Sequence, residues 1–237
     1  RVTIWNVDFL PTGTVGGTAI LLENSPRALI GRNSFHEFQF SVMLNNSRSS
    51  TILGNTVVTT LGWQSLDPGD AEGIVNVNGD HVRIVDNNVS NGLLGVFASG
   101  GNGFCLHNNM HDSFVSFILC KVPAGSFQLP GGAVIGSDVS GHDWFVEGNN
   151  ATGNLHAGYL IIDGANHNRL VNNAASNNTD FDIELAGETN LFGFCTPTCF
   201  ENRVVAGRHR NILINDFGLN NTVRGGNLVH VPIVPCP

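Results

Sequence analysis

Seven times along the chain an apolar residue is followed, after two free positions, by an asparagine, then one free position and a small or apolar residue. The instances are Ile52/Asn55/Val57, Ile84/Asn87/Val89, Cys105/Asn108/Met110, Val146/Asn149/Ala151, Leu170/Asn173/Ala175, Cys199/Asn202/Val204 and Phe217/Asn220/Thr222. Successive asparagines lie 32, 21, 41, 24, 29 and 18 residues apart. A unit of roughly 20–24 residues with occasional insertions is the mark of a solenoid, whose coils bury their apolar faces only against their neighbours. The seventh instance, ending in Thr222, fits the pattern least well.

A second feature keeps the same register. Glycine stands eight positions before the asparagine at Gly79, Gly100 and Gly141, and the next coil has Ala165 there with Gly164 beside it. Each coil is expected to read strand, glycine turn, strand, asparagine turn, short strand. The segments 73–78 and 158–163 are strand-like and precede the glycine turns. With 29 glycines and only 13% charged residues, the composition suits many short strands and tight turns and disfavours helix. At 41% hydrophobic it excludes a disordered chain. An asparagine repeated at one turn can stack its amide on the coils above and below and satisfy buried backbone groups. We therefore expect one all-β domain over 1–237: N-terminal coils or a cap over 1–50, regular coils over 51–225, and a C-terminal tail or cap over 226–237. Protruding insertions are expected near 64–71 and 121–132.

These Asn-punctuated coils resemble the right-handed, single-strand parallel β-helix proteins of the pectin-lyase-like class over roughly residues 50–225. A leucine-rich-repeat solenoid would need Leu-rich spacing and helical segments, which the sequence lacks. The class holds polysaccharide lyases, uronan epimerases, glycoside hydrolases and non-catalytic surface or periplasmic repeat proteins. The resemblance therefore implies a polysaccharide or oligosaccharide partner and a secreted, periplasmic or cell-surface location, without choosing the chemistry.

The net charge of −8 and the absence of a basic stripe argue against nucleic acid. No run approaches the ~20 apolar residues of a membrane-spanning helix. Arg1–Leu10 does not read as a signal peptide. Cys105 and Cys199 fall on the apolar column and read as buried thiols. A loop disulfide joining Cys195 and Cys199 is an expectation that would favour an extracytoplasmic setting, with Cys120 and Cys236 unassigned.

Equivalent positions of adjacent coils stack about 4.8 Å apart. Six positions before the asparagines lie His81, Asn102, Asp143 and His167; four before lie Arg83, Phe104, Phe145 and Arg169. Asp143, His167 and Arg169, with His142 beside them, are the candidate catalytic group on one outward face, suited to acid/base work on a sugar chain. Arg83, His81, Trp63, Tyr159 and Asp163 are candidate substrate contacts. Trp144 or Phe145 must face inward under strict alternation. Resemblance to β-helix lyases implies an arginine base, met by Arg169 or Arg83, and carboxylates holding calcium. Asp143 stands without the several acidic partners such a site needs, so no metal or cofactor is assigned, although calcium fits the class. A bland alternative covers the same residues, because any solenoid clothes its outside in polar side chains.

Two further motifs carry candidate chemistry. Asn178-Thr179-Asp180-Phe181-Asp182 is similar to the first motif of β-helix polygalacturonases and makes Asp180 and Asp182 alternative catalytic carboxylates. The paired Asp-Asp that should follow is missing, and Gly141-His142 lies upstream, in the wrong order. His107 and His111 fall on a turn and strand, where an Asp86–His107 hydrogen bond is expected in place of a metal site.

Overall fold

The computed structural model describes residues 1–12, 17–59, 71–128, 134–137, 140–186, 189–191, 194–196, 198–209 and 211–231. For Val122–Gln128, Val134–Ser137, Thr189–Leu191 and Phe194–Thr196 only the backbone is described. The described residues form no helix. They wind through three parallel sheets of nine, seven and nine strands, each of the first seven coils adding one strand to each sheet in turn and the last two adding none to the second. The first sheet runs from Thr3–Trp5 to Thr222–Arg224, the second from Asp8–Phe9 to Ala174–Ser176, and the third from Thr18–Glu23 to Asn227–Val229. This is the expected parallel β-helix. Its coils begin at Thr3, so residues 3–45 supply two complete turns of the same helix.

Strands of the first two sheets are mostly three residues long, and alternation turns their central residue inward. Ile30, Ile52, Ile84, Cys105, Val146, Leu170 and Val204 stack along the first sheet in this way. Val42, Ile74, Val96, Phe117, Tyr159, Ile183 and Ile214 do so along the third. All of these are essentially inaccessible. The third sheet is also buried on its outer face, where Met43, Val75, Phe97, Ile118 and Leu160 belong to a second apolar cluster.

Each corner is closed by side-chain amides. Between the first and second sheets, Asn33, Asn55, Asn87, Asn108, Asn149 and Asn173 form one ladder, each Nδ2 donating to the next Oδ1 at 2.9–3.0 Å. Each of the first five also sends its backbone N–H to the next Oδ1, and every member donates from Nδ2 to a carbonyl of the preceding coil. Otherwise-buried turn groups are satisfied throughout. Asn202 is not in this file. Val204 pairs with Leu170, so Asn202 aligns with Asn168, and its Nδ2 donates to Asn221. The sixth and seventh sequence repeats were thus one corner out of register, and the stacked residue of the last is Asn221, not Asn220. The cause is a coincidence of spacing: Cys199 stands three before Asn202 at the corner preceding the first sheet. At the third corner Asn154 donates to Asn178 at 2.7 Å.

Part of the 121–132 insertion is described, and it carries a strand. Val122–Gln128 pairs antiparallel with Val134–Ser137, as Thr189–Leu191 does with Phe194–Thr196. Most of 64–71, including Trp63 beside it, lies outside the described residues. Cys199 carries a free thiol, as do Cys105 and Cys120, which removes the expected Cys195–Cys199 disulfide and its hint of an oxidising compartment. Burial pushes the Cys199 thiol up to about 12, beyond reach as a thiolate near neutral pH.

Candidate functional site

The corner leading from the third sheet into the first places one residue per coil in the left-handed region. Arg27, Ser49, His81, Asn102, Asp143, His167, Glu201 and Asn220 have φ between 54° and 60°. The backbone N–H of six of them is held by a carbonyl of the next coil, as in His81 to Gly101 and Asp143 to Asn166, which makes the conformation tolerable away from glycine. The preceding residues form their own file, with bridges joining Gly101, His142, Asn166, Phe200 and Leu219. Two adjacent files of outward side chains therefore run along the helix axis at the spacing of a parallel sheet.

Imidazoles and carboxylates pair repeatedly on this ridge. His81 Nδ1 lies 2.8 Å from Asp80 Oδ2, and Asn102 Nδ2 donates to Asp80 Oδ1 at 2.9 Å. Partial burial pulls the Asp80 pKa upward, but the bonds from Asn102 and His81 and the charges of His81 and His142 outweigh it and leave the carboxyl below its ordinary value. His142 Nδ1 lies 2.9 Å from Asp143 Oδ2. His142 is half-exposed, and its ring lies against Gly101, where a Cβ would collide with it. His167 is held at both ends, by Asn166 Oδ1 at 2.6 Å and by Glu201 Oε2 at 2.7 Å.

Beside the ridge, the first outward residue of each first-sheet strand forms a third file. Arg83 lies 5.5 Å over the Phe104 ring and Arg169 lies 5.5 Å over the Phe145 ring, both guanidiniums stacked and exposed. The sequence candidates separate accordingly. Asp143 partners His142, whereas His167 partners Glu201 and Arg169 rests on Phe145. Tyr159, offered above for sugar contact, is a core residue whose hydroxyl donates to Ala174 O at 3.1 Å, because its column of the third sheet points inward. Trp144 is also buried and donates from Nε1 to Gly100 O at 3.1 Å, with Gly103 leaving room for the indole; Phe145 takes the outward position. Asp163 is nearly buried at the start of the corner, where burial raises its pKa against the opposing charge of Lys121.

Asp180 and Asp182 also part. Asp182 is a scaffold carboxylate, accepting from Asn178 Nδ2 at 2.7 Å and from the Leu213 backbone N–H at 2.9 Å. Asp180 Oδ2 lies 2.7 Å from His156 Nδ1. The other ring nitrogen of His156 lies 3.0 Å from the buried Glu184 Oε2, close enough for an ion pair though misaligned for a hydrogen bond. Burial alone would depress the His156 pKa, but the two carboxylates more than compensate and raise it. The ring also stacks on Phe114, 5.4 Å between centroids. Sequence reasoning missed this cluster because His156 and Glu184 carry no motif; they meet only through the pairing of Leu160 with Glu184.

His111 pairs with Asp112 at 2.7 Å, and among the described residues no hydrogen bond joins Asp86 to His107. Nor, among the described residues, do three His, Cys, Asp or Glu side chains gather as a metal site. The ridge carboxylates of Asp80, Asp143 and Glu201 are instead engaged by imidazoles, which does not suit a calcium ion.

No protein-family model matches the sequence, and no curated protein is similar to it. Among solved structures, the chain is similar to a variant of the periplasmic alginate epimerase AlgG, with 12% identity and a TM-score of 0.64. That match covers 96% of this chain and 51% of the other, so the chain spans about half the length of the epimerase. It is also similar to a tailspike protein from a Pseudomonas phage, with 13% identity, a TM-score of 0.46, and coverage of 96% and 44%. A third likeness is to polygalacturonase from Erwinia carotovora, with 14% identity, a TM-score of 0.44, and coverage of 88% and 59%.

Proposed function

The chain is a right-handed parallel β-helix of the pectin-lyase-like type, and from that premise we propose that its corner ridge binds or acts on a polysaccharide outside the cytoplasm. One observation carries the reading: a straight, exposed file of imidazole–carboxylate pairs flanked by guanidiniums stacked on aromatic rings. A linear polymer suits a linear file, and sugar hydroxyls suit its alternating donors and acceptors. The epimerase likeness lends support through the fold alone.

If the ridge turns over substrate, lyase or epimerase chemistry fits it best, since both begin with removal of a proton from carbon. His142 is the better-placed base: Asp143 fixes its Nδ1, and no described residue occupies its Nε2. His167, clamped between Asn166 and Glu201, would have to release a partner first. Arg169, presented by Phe145, suits the holding of a sugar carboxylate better than proton abstraction. Recurrence of the same pair at Asp80–His81 favours the second reading, a binding module without turnover.

The two readings part in one experiment. A panel of acidic polysaccharides is incubated with the protein, with and without calcium, and followed by ultraviolet absorbance for unsaturated ends and by NMR for epimerised units. Turnover that falls roughly 100-fold or more in His142→Ala supports the base assignment. Binding without product supports the module, and neither binding nor product rejects the carbohydrate reading.

A further inference from the structure

Beside the ridge lies a cavity of about 880 Å³ whose lining includes Arg1, Arg27, Arg48, Ser49, Asp80 and His81. The volume falls within the roughly 300–1,000 Å³ of small-molecule sites. Arg27, Ser49 and His81 are consecutive members of the left-handed file, and Arg48 and Asp80 occupy the neighbouring file, so coil stacking itself assembles the lining. All three arginines are exposed, and none forms an ion pair with a described residue. The one carboxylate in the lining, Asp80, is already bound by His81 and Asn102.

This arrangement is unusual for the chain. There are only 11 lysines and arginines against 19 acidic residues, yet three guanidiniums line one cavity with Asp80 as the one carboxylate among the lining residues, so positive charge is in excess there. An anion from outside would relieve their mutual repulsion. Guanidinium forks match planar or tetrahedral oxyanions through paired N–H donors, and the Ser49 side chain adds a hydroxyl to the same wall. We propose that this cavity receives an acidic sugar unit, through a carboxylate or a sulfate ester, and so anchors one stretch of a polysaccharide lying along the ridge. The proposal rests on the carbohydrate reading above and adds the ligand's charge and the place where it docks. It also explains how a chain of net charge −8 could hold a polyanion: the positive charge is local to this cavity.

The test is calorimetric titration, at low salt, of hexagalacturonate, a heparin-derived hexasaccharide and neutral cellohexaose. They are titrated into the unaltered protein, the Arg27→Ala/Arg48→Ala double variant and the Arg27→Lys/Arg48→Lys double variant. The side chains changed are exposed, and matching melting curves show that each variant is folded. The expected result is binding of one acidic hexasaccharide, weakened about 100-fold by the double alanine variant, or roughly tenfold for each charge-assisted contact. Partial recovery with lysine, and steep weakening by salt, are expected with it. Whichever acid binds identifies the oxyanion as carboxylate or sulfate. Acid binding that ignores the arginines, or a preference for cellohexaose, overturns the cavity proposal and leaves the carbohydrate reading intact. No binding of any sugar by the unaltered protein overturns both.

Discussion

Glu72 occupies the column that runs from Phe40 through Leu94 and Val115 on the outer face of the third sheet. It is buried with no hydrogen-bond partner for Oε2, and burial pushes its pKa up to about 8. The folded chain therefore holds a proton that the unfolded chain releases near 4.5. The sign is that of a raised pKa: the native state is unpenalised below pH 4.5 and loses stability as pH climbs toward about 8. Glu72→Gln keeps the shape and removes the titration. It should flatten the pH dependence of stability between pH 5 and 8 and raise the unfolding free energy at the alkaline end by roughly the few kcal/mol that such a shift represents. Identical pH profiles for the two proteins would refute a buried neutral acid. Nothing in the sequence disclosed Glu72, because alternation sends a lone glutamate to solvent, and only the covering of this sheet face puts it under apolar neighbours. The ridge residues were more legible. His81, Asn102, Asp143 and His167 share one column as their spacing implied, but which imidazole meets which carboxylate depends on rotamers that spacing does not contain.

At the scale of the coil, Asn108 shows what one amide does. Its Oδ1 accepts from the backbone N–H and Nδ2 of Asn87, while its own Nδ2 reaches Ile84 O, Leu106 O and Asn149 Oδ1. Asn108→Leu would strand an Asn87 N–H and an Ile84 carbonyl where no water reaches. We expect a loss of at least ~3 kcal/mol in chemical denaturation, against under ~1 kcal/mol for the exposed Asn109→Ala. Equal effects would mean that the ladder is ornamental. Five ladder positions could be seen in the sequence because apolar-x-x-Asn is short and local. Asn33 belongs to the same ladder, and Ile30/Asn33/Phe35 fits the same template although it was not among the instances read from the sequence. The hairpin of Val122–Gln128 escaped because its prolines and glycines mimic a loop, although its register needs only a handful of cross-strand pairs.

Across the whole molecule, each coil touches only the coils before and after it, so protection should be graded along the axis. The central strands Leu94–Ala98 and Val115–Leu119 are buried on both faces and paired on both edges. Thr3–Trp5 and Asn227–Val229 are paired on one edge and partly exposed. Native-state hydrogen exchange should therefore release the terminal strands first and the central strands last, with intermediate coils ordered between. A single uniform protection factor would show that the chain opens as one unit.

Between Trp144 and Asn202 the stacked amides change corners. Asn173 ends one file and Asn168, in the same coil, opens the other. That turn is a splice between two grammars of coil, and it gives the molecule a direction that repetition alone would not. A turn copied from the middle and grafted beyond the splice would offer its amide to a corner with nothing to receive it. Lengthening this protein by duplication therefore requires each copied coil to be inserted on the side of the splice whose file its own amide matches.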